Sequence, residues 1–549
     1  MADFIWAQRN IIEAPRFKRI YKKNMLKPMR KMYIYGKDKT YTFIQKENNF
    51  IIIIGYCCFP GESIHNTALR ILKSFNESKI LNLKKQLTGQ FIIIIKKNNI
   101  VYSFGDIWQV RNIFYSKDFN IISSSISSIE KNINTSEKDL DVDKVIEYIA
   151  MEIIHYPSWL GNKTMHINIK RLRPFEYIII DTLKSVFRIG EVCFYIDNRK
   201  ELSLDKISNN LLDTLRNIIE NPSFKDSKIG VTLTGGYDTR LVAILATNYY
   251  KNSSFRIALS QETYGSIKES KISKKIAKIV NIPIVIKSSK TNRDFNDRFY
   301  ILTEGLSPTN NSTITPIIYK NYIYDLGLGG CFGTELFKPL DSYLKIEDYI
   351  KKSILKAKKY IQINKEAWSR LYFSIDEEFK SIREHYILYE PNVLDELRIF
   401  LLLNTAFFSS SILAPYNING LEFEPYYFWH ILEIAFKVPK KYMCIYGFSR
   451  WTSLVQKKSI SKINYPIGRV MTTNYQPMLP LTIRTLIFYL SGGFQYFTDK
   501  VISSLKNKNK QYSKKITINN NLYYLSDGWD ELFLRRIREK YNIKIDIIE

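Results

Sequence analysis

"KIGVTLTGGYDTRLVAIL", Lys228 to Leu245, is the stretch that decides how this chain is read. An apolar run of strand type stops at Thr234-Gly235-Gly236, carries a lone acid at Asp238, and resumes with apolar residues at helical spacing. At the end of a parallel strand, two glycines let the backbone turn sharply and present successive N–H groups at a helix N-terminus, where anionic oxygens bind. Thr234 and Thr239 add hydroxyls. Asp238 cannot hold a phosphate, but it can hold a magnesium ion that does, and it is expected to stand exposed on the loop. The plainer alternative is a tight strand–helix turn with Asp238 as a helix cap. No Lys-Ser or Lys-Thr follows, which excludes the Walker loop, and the GxGxxG dinucleotide turn is absent too.

Around this stretch the rhythm is strand and helix in alternation. Helical spacing at Lys206–Asn221 precedes it; a strand at Phe255–Ser260, a helix at Glu269–Asn281 and a strand at Ile282–Lys287 follow. Such alternation predicts a doubly wound parallel sheet. The part after Asp341 is mostly helical by pattern, as in Val393–Phe408 and Phe428–Pro439. Before about residue 195 the chain reads as strands. "NNFIIIIGYCCF" (Asn48–Phe59) and "QFIIIIKKNNIVYSFGD" (Gln90–Asp106) are continuous apolar runs that suit strands buried on both faces of stacked sheets. The expected organisation is therefore α/β with α+β, in two domains, 1–200 and 201–549.

Composition narrows the class. With 549 residues, 45% apolar and 14% aromatic, the chain buries a sizeable core and is not disordered. No signal peptide is recognised at the start, and the longest apolar runs fall far short of a membrane span. Cys57, Cys58, Cys193, Cys331 and Cys444 form neither a disulfide framework nor a CxxC zinc pattern. A reduced, cytoplasmic protein with no membrane partner is expected. The formal charge of +28 could serve a nucleic acid or an acidic partner, yet the chain is lysine-rich throughout, and "LKNKNKQYSKK" (Leu505–Lys515) reads as a solvated loop.

"LTGGYDT" resembles the SGGxDS pyrophosphate loop of the PP-loop ATP pyrophosphatases, with threonine in place of both serines. Other stretches are similar to the asparagine synthetase-like branch and extend the resemblance over most of the chain. "LTGQF" (Leu87–Phe91), Asp106 and "IFYS" (Ile113–Ser116) resemble a glutamine amidotransferase (Ntn-type) domain. "KTMHINIKRLRPFEYIII" (Lys163–Ile180) resembles the family's interdomain linker, "GLGGCFGTELF" (Gly327–Phe337) its second nucleotide loop, and Glu433–Trp451 a stretch ending A-x-x-[LI]-P-x-x-x-K. The resemblance implies an amidotransferase-like domain followed by a PP-loop domain that uses ATP and Mg2+. It implies that Leu233, Thr234, Gly235, Gly236, Tyr237, Asp238, Thr239, Ile257, Gly329 and Gly330 contact the nucleotide.

The departures are equally informative. The family's glutaminase nucleophile is a cysteine directly after the initiator methionine, and Ala2 stands there, so no glutaminase is expected. Cys331 occupies an acidic position and Thr334 that of a second magnesium-binding aspartate; Glu335 is the candidate to replace it as metal ligand and catalytic residue beside Asp238. Glu269 matches one acid of a usual pair, and Lys268 replaces the other. The family's catalytic lysine has no evident match, and Arg469 in "YPIGRVMTTNY" is the nearest cation, able to stabilise charge but not to act as a base.

Three functions remain open on the sequence. The first is an AMP-forming ligase that adenylates a carboxylate-bearing small molecule or peptide and passes it to an amine, as β-lactam synthetases and lasso-peptide cyclases do, with a precursor peptide or partner protein involved. The second is a degenerate synthetase kept as a binding or scaffold protein. The third is a tRNA-modifying PP-loop enzyme, against which the amidotransferase resemblance and the missing RNA-binding appendages argue.

Overall fold

The computed structural model describes residues 2–7, 23–25, 32–36, 40–133, 135–200, 202–221, 224–225, 227–250, 256–262, 267–288, 300, 303–306, 324–337, 345–358, 363–416, 421–445, 448–470, 514–518, 521–525, 530–541 and 546–548. Two six-stranded antiparallel sheets come first. One has the order β10-β8-β9-β1-β3-β2, from Ile169–Arg171, Phe114–Ser116, Ile121–Ser123, Ala2–Ala7, Met32–Gly36 and Lys23–Met25. The other has the order β12-β11-β7-β6-β5-β4, from Val186–Glu191, Glu176–Asp181, Ile100–Gly105, Thr88–Lys97, Asn49–Cys58 and Tyr41–Lys46.

The isoleucine runs explain how these sheets stack. Successive side chains of a strand point to opposite faces. Phe50, Ile52, Ile54, Ile92 and Ile94 therefore meet Phe4, Tyr115 and Ile122 between the two sheets. Ile51, Ile53, Ile93 and Ile95 face the other way, onto Ala68, Ile71 and Leu72 of α1 (Ile64–Ser74) and Ile80 of α2 (Ile80–Gln86). The opposite outer face is covered by α3 (Ile126–Ile133) and α4 (Val142–Ile154), through Ile126, Ile129, Val145 and Ile149. Both faces of each sheet are buried, so the runs need no polar alternation, and each buried isoleucine stabilises by roughly 1.5–3 kcal/mol. A charge at Ile93 would break this layering.

Beyond residue 200 the sheet is parallel. After α5 (Leu204–Ile219), five strands take the order β16-β15-β14-β17-β19, from Ile284–Ser288, Arg256–Glu262, Ile229–Thr232, Leu326–Leu328 and Leu421–Phe423. All four pairings are parallel. The chain leaves β14 to one side, through α6 (Tyr237–Tyr249) and α7 (Ile267–Ile279), and returns to its other side at β17, so the strand order reverses between β14 and β17. Helices then dominate: α8 (Gly333–Phe337), α9 (Ile346–Ala357), α10 (Lys365–His385), α11 (Val393–Tyr416), α12 (Trp429–Phe436), α13 (Leu454–Ile463) and α14 (Tyr465–Gly468). The stacked sheets, the parallel sheet and the helical part after it agree with the fold class expected from the sequence.

The architecture changes near residue 200, but packing runs across it. β13 (Phe194–Ile196) pairs with β18 (Tyr386–Leu388), and one apolar cluster extends from Ile5 to Tyr541. Arg536 and Glu130, both fully buried, pair at 2.5 Å and tie the helix Asp530–Tyr541 to α3. Of the lysine-rich stretch expected as a loop, 505–513 lies outside the described residues, and Lys514–Ile518 is a strand. No helix among the described residues is long and apolar enough to cross a membrane.

Candidate functional site

The strand order reverses between β14 and β17, and in open α/β sheets the carboxyl ends beside such a reversal form the usual ligand crevice. Two loops meet there. Thr234 Oγ1 lies 2.8 Å from Thr239 Oγ1 and accepts the Gly236 amide at 3.1 Å, while the Thr234 amide donates to Thr239 Oγ1 at 3.1 Å. The two threonines thus close the loop on itself. Gly236 is the N-cap of α6 and has no side chain to spend on the first turn, where partial positive charge attracts anions. Gly236 has φ −81°, and neither loop glycine is among those with positive φ. The turn expected to need glycine conformations is made without a left-handed residue.

The second loop is where the absence of side chains is indispensable. A Cβ on Gly330 would come within 2.6 Å of the Thr239 amide nitrogen, and one on Gly333 within 2.4 Å of Asp238 Oδ1. Gly329 would meet the Glu424 carboxylate at 2.0 Å. Residues 329–333 therefore lie directly against the start of α6. Between these glycines, Phe332 is buried with φ 74°, a left-handed conformation that costs a non-glycine residue energy and persists only under tight packing.

Asp238 corrects one expectation. It is not an exposed loop residue but the second residue of α6, only 9% exposed. Thr334 donates to its Oδ2 at 2.8 Å, and Gln456 Nε2 of α13 donates to its Oδ1. Gln456 is in turn held by Ser453, the left-handed N-cap of α13 at φ 66°. Thr334, standing where a second acid was sought, thus serves the first one.

The other expected residues are distributed unevenly. Glu335 is half-buried on α8, and its charge reaches Cys331, Tyr156 and Tyr427. Leu233 is fully buried, its carbonyl accepting Ser273 Oγ of α7 at 3.0 Å. The buried Tyr237 lies beneath Lys457. Ile257 pairs with Gly230 inside the sheet, short of the carboxyl edge that Leu233 marks. Arg469 is exposed just after α14; the next residue, Val470, accepts Arg240 Nη1 at 2.5 Å, and Arg240 Nη2 donates to the Gly235 carbonyl at 3.0 Å. The side chains of Lys268 and Glu269 lie outside the described residues, as does the side chain of Ala2.

Two site groups went unnoticed in the sequence. Glu424 follows β19, and its Oε2 accepts the Cys331 amide at 2.8 Å. Burial, opposed by its bonds from Cys331 and reinforced by the charge of Asp238, pushes its carboxyl up to about 7. Lys457, the residue after Gln456, has its ammonium 5.5 Å from the centre of the Tyr237 ring and is fully buried; burial pushes it down to about 7. "VQKK" in a lysine-rich chain carries no local signal; only the docking of α13 on α6 singles out this lysine. Although Cys331 keeps exposed surface, the atoms packed around its thiol, and then the Glu424 and Glu335 carboxylates, push it up.

A magnesium ion takes one or two carboxylates and completes its shell with phosphate and water. Asp238, Glu335 and Glu424 are carboxylates of that kind, and the described residues hold no cluster of three or more His, Cys, Asp or Glu poised to bind a metal. The donor set fits an ion shared with a polyphosphate, not one caged by protein alone.

No family model matches the chain, and no curated protein matches it. Among solved structures it is similar to a tRNA thiolase of Methanococcus maripaludis with its 4Fe–4S cluster, at 16% identity and TM-score 0.16 over 38% of this chain and 75% of that one. It is also similar to glutamine phosphoribosylpyrophosphate amidotransferase of B. subtilis complexed with ADP and GMP, at 9% identity and TM-score 0.22 over 65% and 78%. A third likeness, to the allosteric regulatory enzyme of purine biosynthesis, has 9% identity and TM-score 0.18 over 47% and 66%. Likenesses this slight carry no argument, and the class rests on this chain's own strand order and loops.

Proposed function

We propose that the chain is an ATP-dependent, AMP-forming ligase that joins a carboxylate to an amine, with the amidotransferase-like part lacking glutaminase activity. The observation that carries this reading is the meeting of the Thr234–Thr239 and Gly329–Gly333 loops around Asp238 at the reversal of the parallel sheet. The α6 end and the Thr234 and Thr239 hydroxyls cradle the β,γ-phosphates. A substrate carboxylate oxygen attacks the α-phosphorus, and the bridging bond breaks, its electron pair leaving with pyrophosphate. The amine then attacks the acyl carbon, loses a proton, and AMP departs with the former acyl–oxygen electron pair.

Magnesium, held by Asp238 with Glu335, would offset charge on the phosphates. Lys457, buried over the Tyr237 ring at the start of α6, supports that turn from within, and the exposed Arg469 is the cation that would stabilise the charge building on the α-phosphoryl oxygens. Glu424, near 7, is suited to accept the amine's proton. ATP–pyrophosphate exchange with a panel of carboxylates and short peptides tests the reading: AMP and pyrophosphate are expected, and release of ADP and phosphate would refute it. No exchange with any of them would favour a scaffold instead.

One feature supports a second reading, an RNA-directed adenylating enzyme. Lys271, Lys274, Lys275 and Lys278 share one exposed face of α7 and form no ion pair among the described residues. Binding of bulk tRNA at two salt concentrations decides between them, since each neutralised phosphate steepens the salt dependence. Sub-micromolar binding that survives physiological salt would favour RNA; the ligase reading expects none.

A further inference from the structure

Trp108 lies in the turn after β7, in the stacked-sheet part of the chain, yet its indole reaches both the Gly329–Gly333 loop and the segment that follows β19. Its Nε1 donates to the Tyr427 carbonyl at 3.0 Å, and its ring meets Phe332 edge-on with centroids 5.5 Å apart. Phe332 and Tyr427 themselves pack edge-to-face at 3.8 Å. These two residues flank the Glu424–Cys331 bond: Phe332 follows Cys331, and Tyr427 lies three residues after Glu424. On the other side of Glu424, Phe423 packs on Tyr56 of β5 at 4.5 Å. The stacked sheets thus grip Glu424 from both sides and wedge the strained Phe332 in place.

Trp108 is itself aimed by a buried acid. Asp106 accepts the amides of Trp108 at 3.0 Å and Val110 at 3.4 Å through Oδ1, and that of Phe91 at 3.4 Å through Oδ2. A carboxylate accepting three amides fixes a turn rigidly. Tyr386 stacks on the indole at 6.5 Å from the helical part.

We infer that Trp108 is a positioning residue for the crevice: the stacked sheets serve the parallel-sheet site by holding Cys331–Gly333 and Glu424–Tyr427 against Asp238. Its activity arm rests on the ligase reading, whereas its structural arm does not. Cys331 provides the independent probe, because the residue keeps exposed surface while its thiol is packed beside Glu424 and is freed only if the loop loosens; Cys57 and Cys58 are buried and peptide mapping separates the remaining cysteines.

The experiment compares iodoacetamide alkylation of Cys331 in the wild-type protein, Trp108→Phe, Trp108→Ala and Phe75→Leu. Phe75, the C-cap of α1, is buried against Tyr102 and Phe104 of β7 and controls for general loosening. Trp108→Phe keeps a ring on Phe332 but loses the bond to Tyr427, so Cys331 should react about fivefold faster, the worth of one hydrogen bond. Trp108→Ala should exceed it, and if that variant does not fold, Trp108→Phe decides. In exchange assays kcat should fall in step. Alkylation at the wild-type rate in Trp108→Phe, or an equal rise in Phe75→Leu, overturns the inference. Absence of exchange in the wild-type protein would refute the ligase reading alone and leave the alkylation result to stand.

Discussion

Thr334 donates its hydroxyl to Asp238 at 2.8 Å, joining residues 96 apart in the chain and locking the second crevice loop to the first turn of α6. With Gln456 on the other oxygen, Asp238 is a hub in which three segments meet. Its removal therefore has a structural cost as well as a chemical one.

Asp238→Ala should abolish pyrophosphate exchange and also lower the melting temperature. Two buried donors lose their acceptor, at about 1–3 kcal/mol each. A melting curve that superimposes on the wild type would contradict the hub.

Glu424 makes stability depend on pH. Its folded pKa, about 7, lies above the ordinary 4.5, so the folded state holds a proton that the unfolded state has released. The contribution is fully present below 4.5 and is lost as pH rises through 7, on the order of 3 kcal/mol. Glu424→Gln should flatten denaturant-measured stability across this window, and an unchanged slope would refute the assignment.

Lys457 has the opposite sign. Its pKa falls from 10.5 to about 7, so the unfolded state binds the extra proton and stability rises with pH between those values. Lys457→Met should stabilise the fold at about pH 6, and the gain should shrink by about pH 10. Equal stabilisation at both would mean that the amine is not pushed down.

Two glycines separate folding from binding. Gly330→Ala would press a methyl group against the Thr239 backbone and should lower both stability and ATP–Mg2+ affinity. In Gly236→Ala the added carbon meets only Thr234 Oγ1, at 3.3 Å. Its melting should stay close to wild type while calorimetric ATP–Mg2+ affinity drops at least about tenfold, as a phosphate needs the space. Unchanged affinity would remove the phosphate from this loop.

What could be read along the chain alone is what depends on local pattern. The Asn48–Phe59 and Gln90–Asp106 runs announced strands buried on both faces, because burial on both faces removes any need for polar alternation. Lys228–Leu245 announced a strand, a turn and a helix, since period and glycine placement are local properties. Tertiary structure decided the rest. Asp238 looked exposed because nothing near it in sequence reveals Thr334 or Gln456, whose bonds form only once α8 and α13 dock. Glu424 and Lys457 owe their shifted proton affinities to burial, which arises from packing and leaves no trace in residue type. The part played by Trp108 depends on two sheet systems, built from distant stretches, coming to share one core.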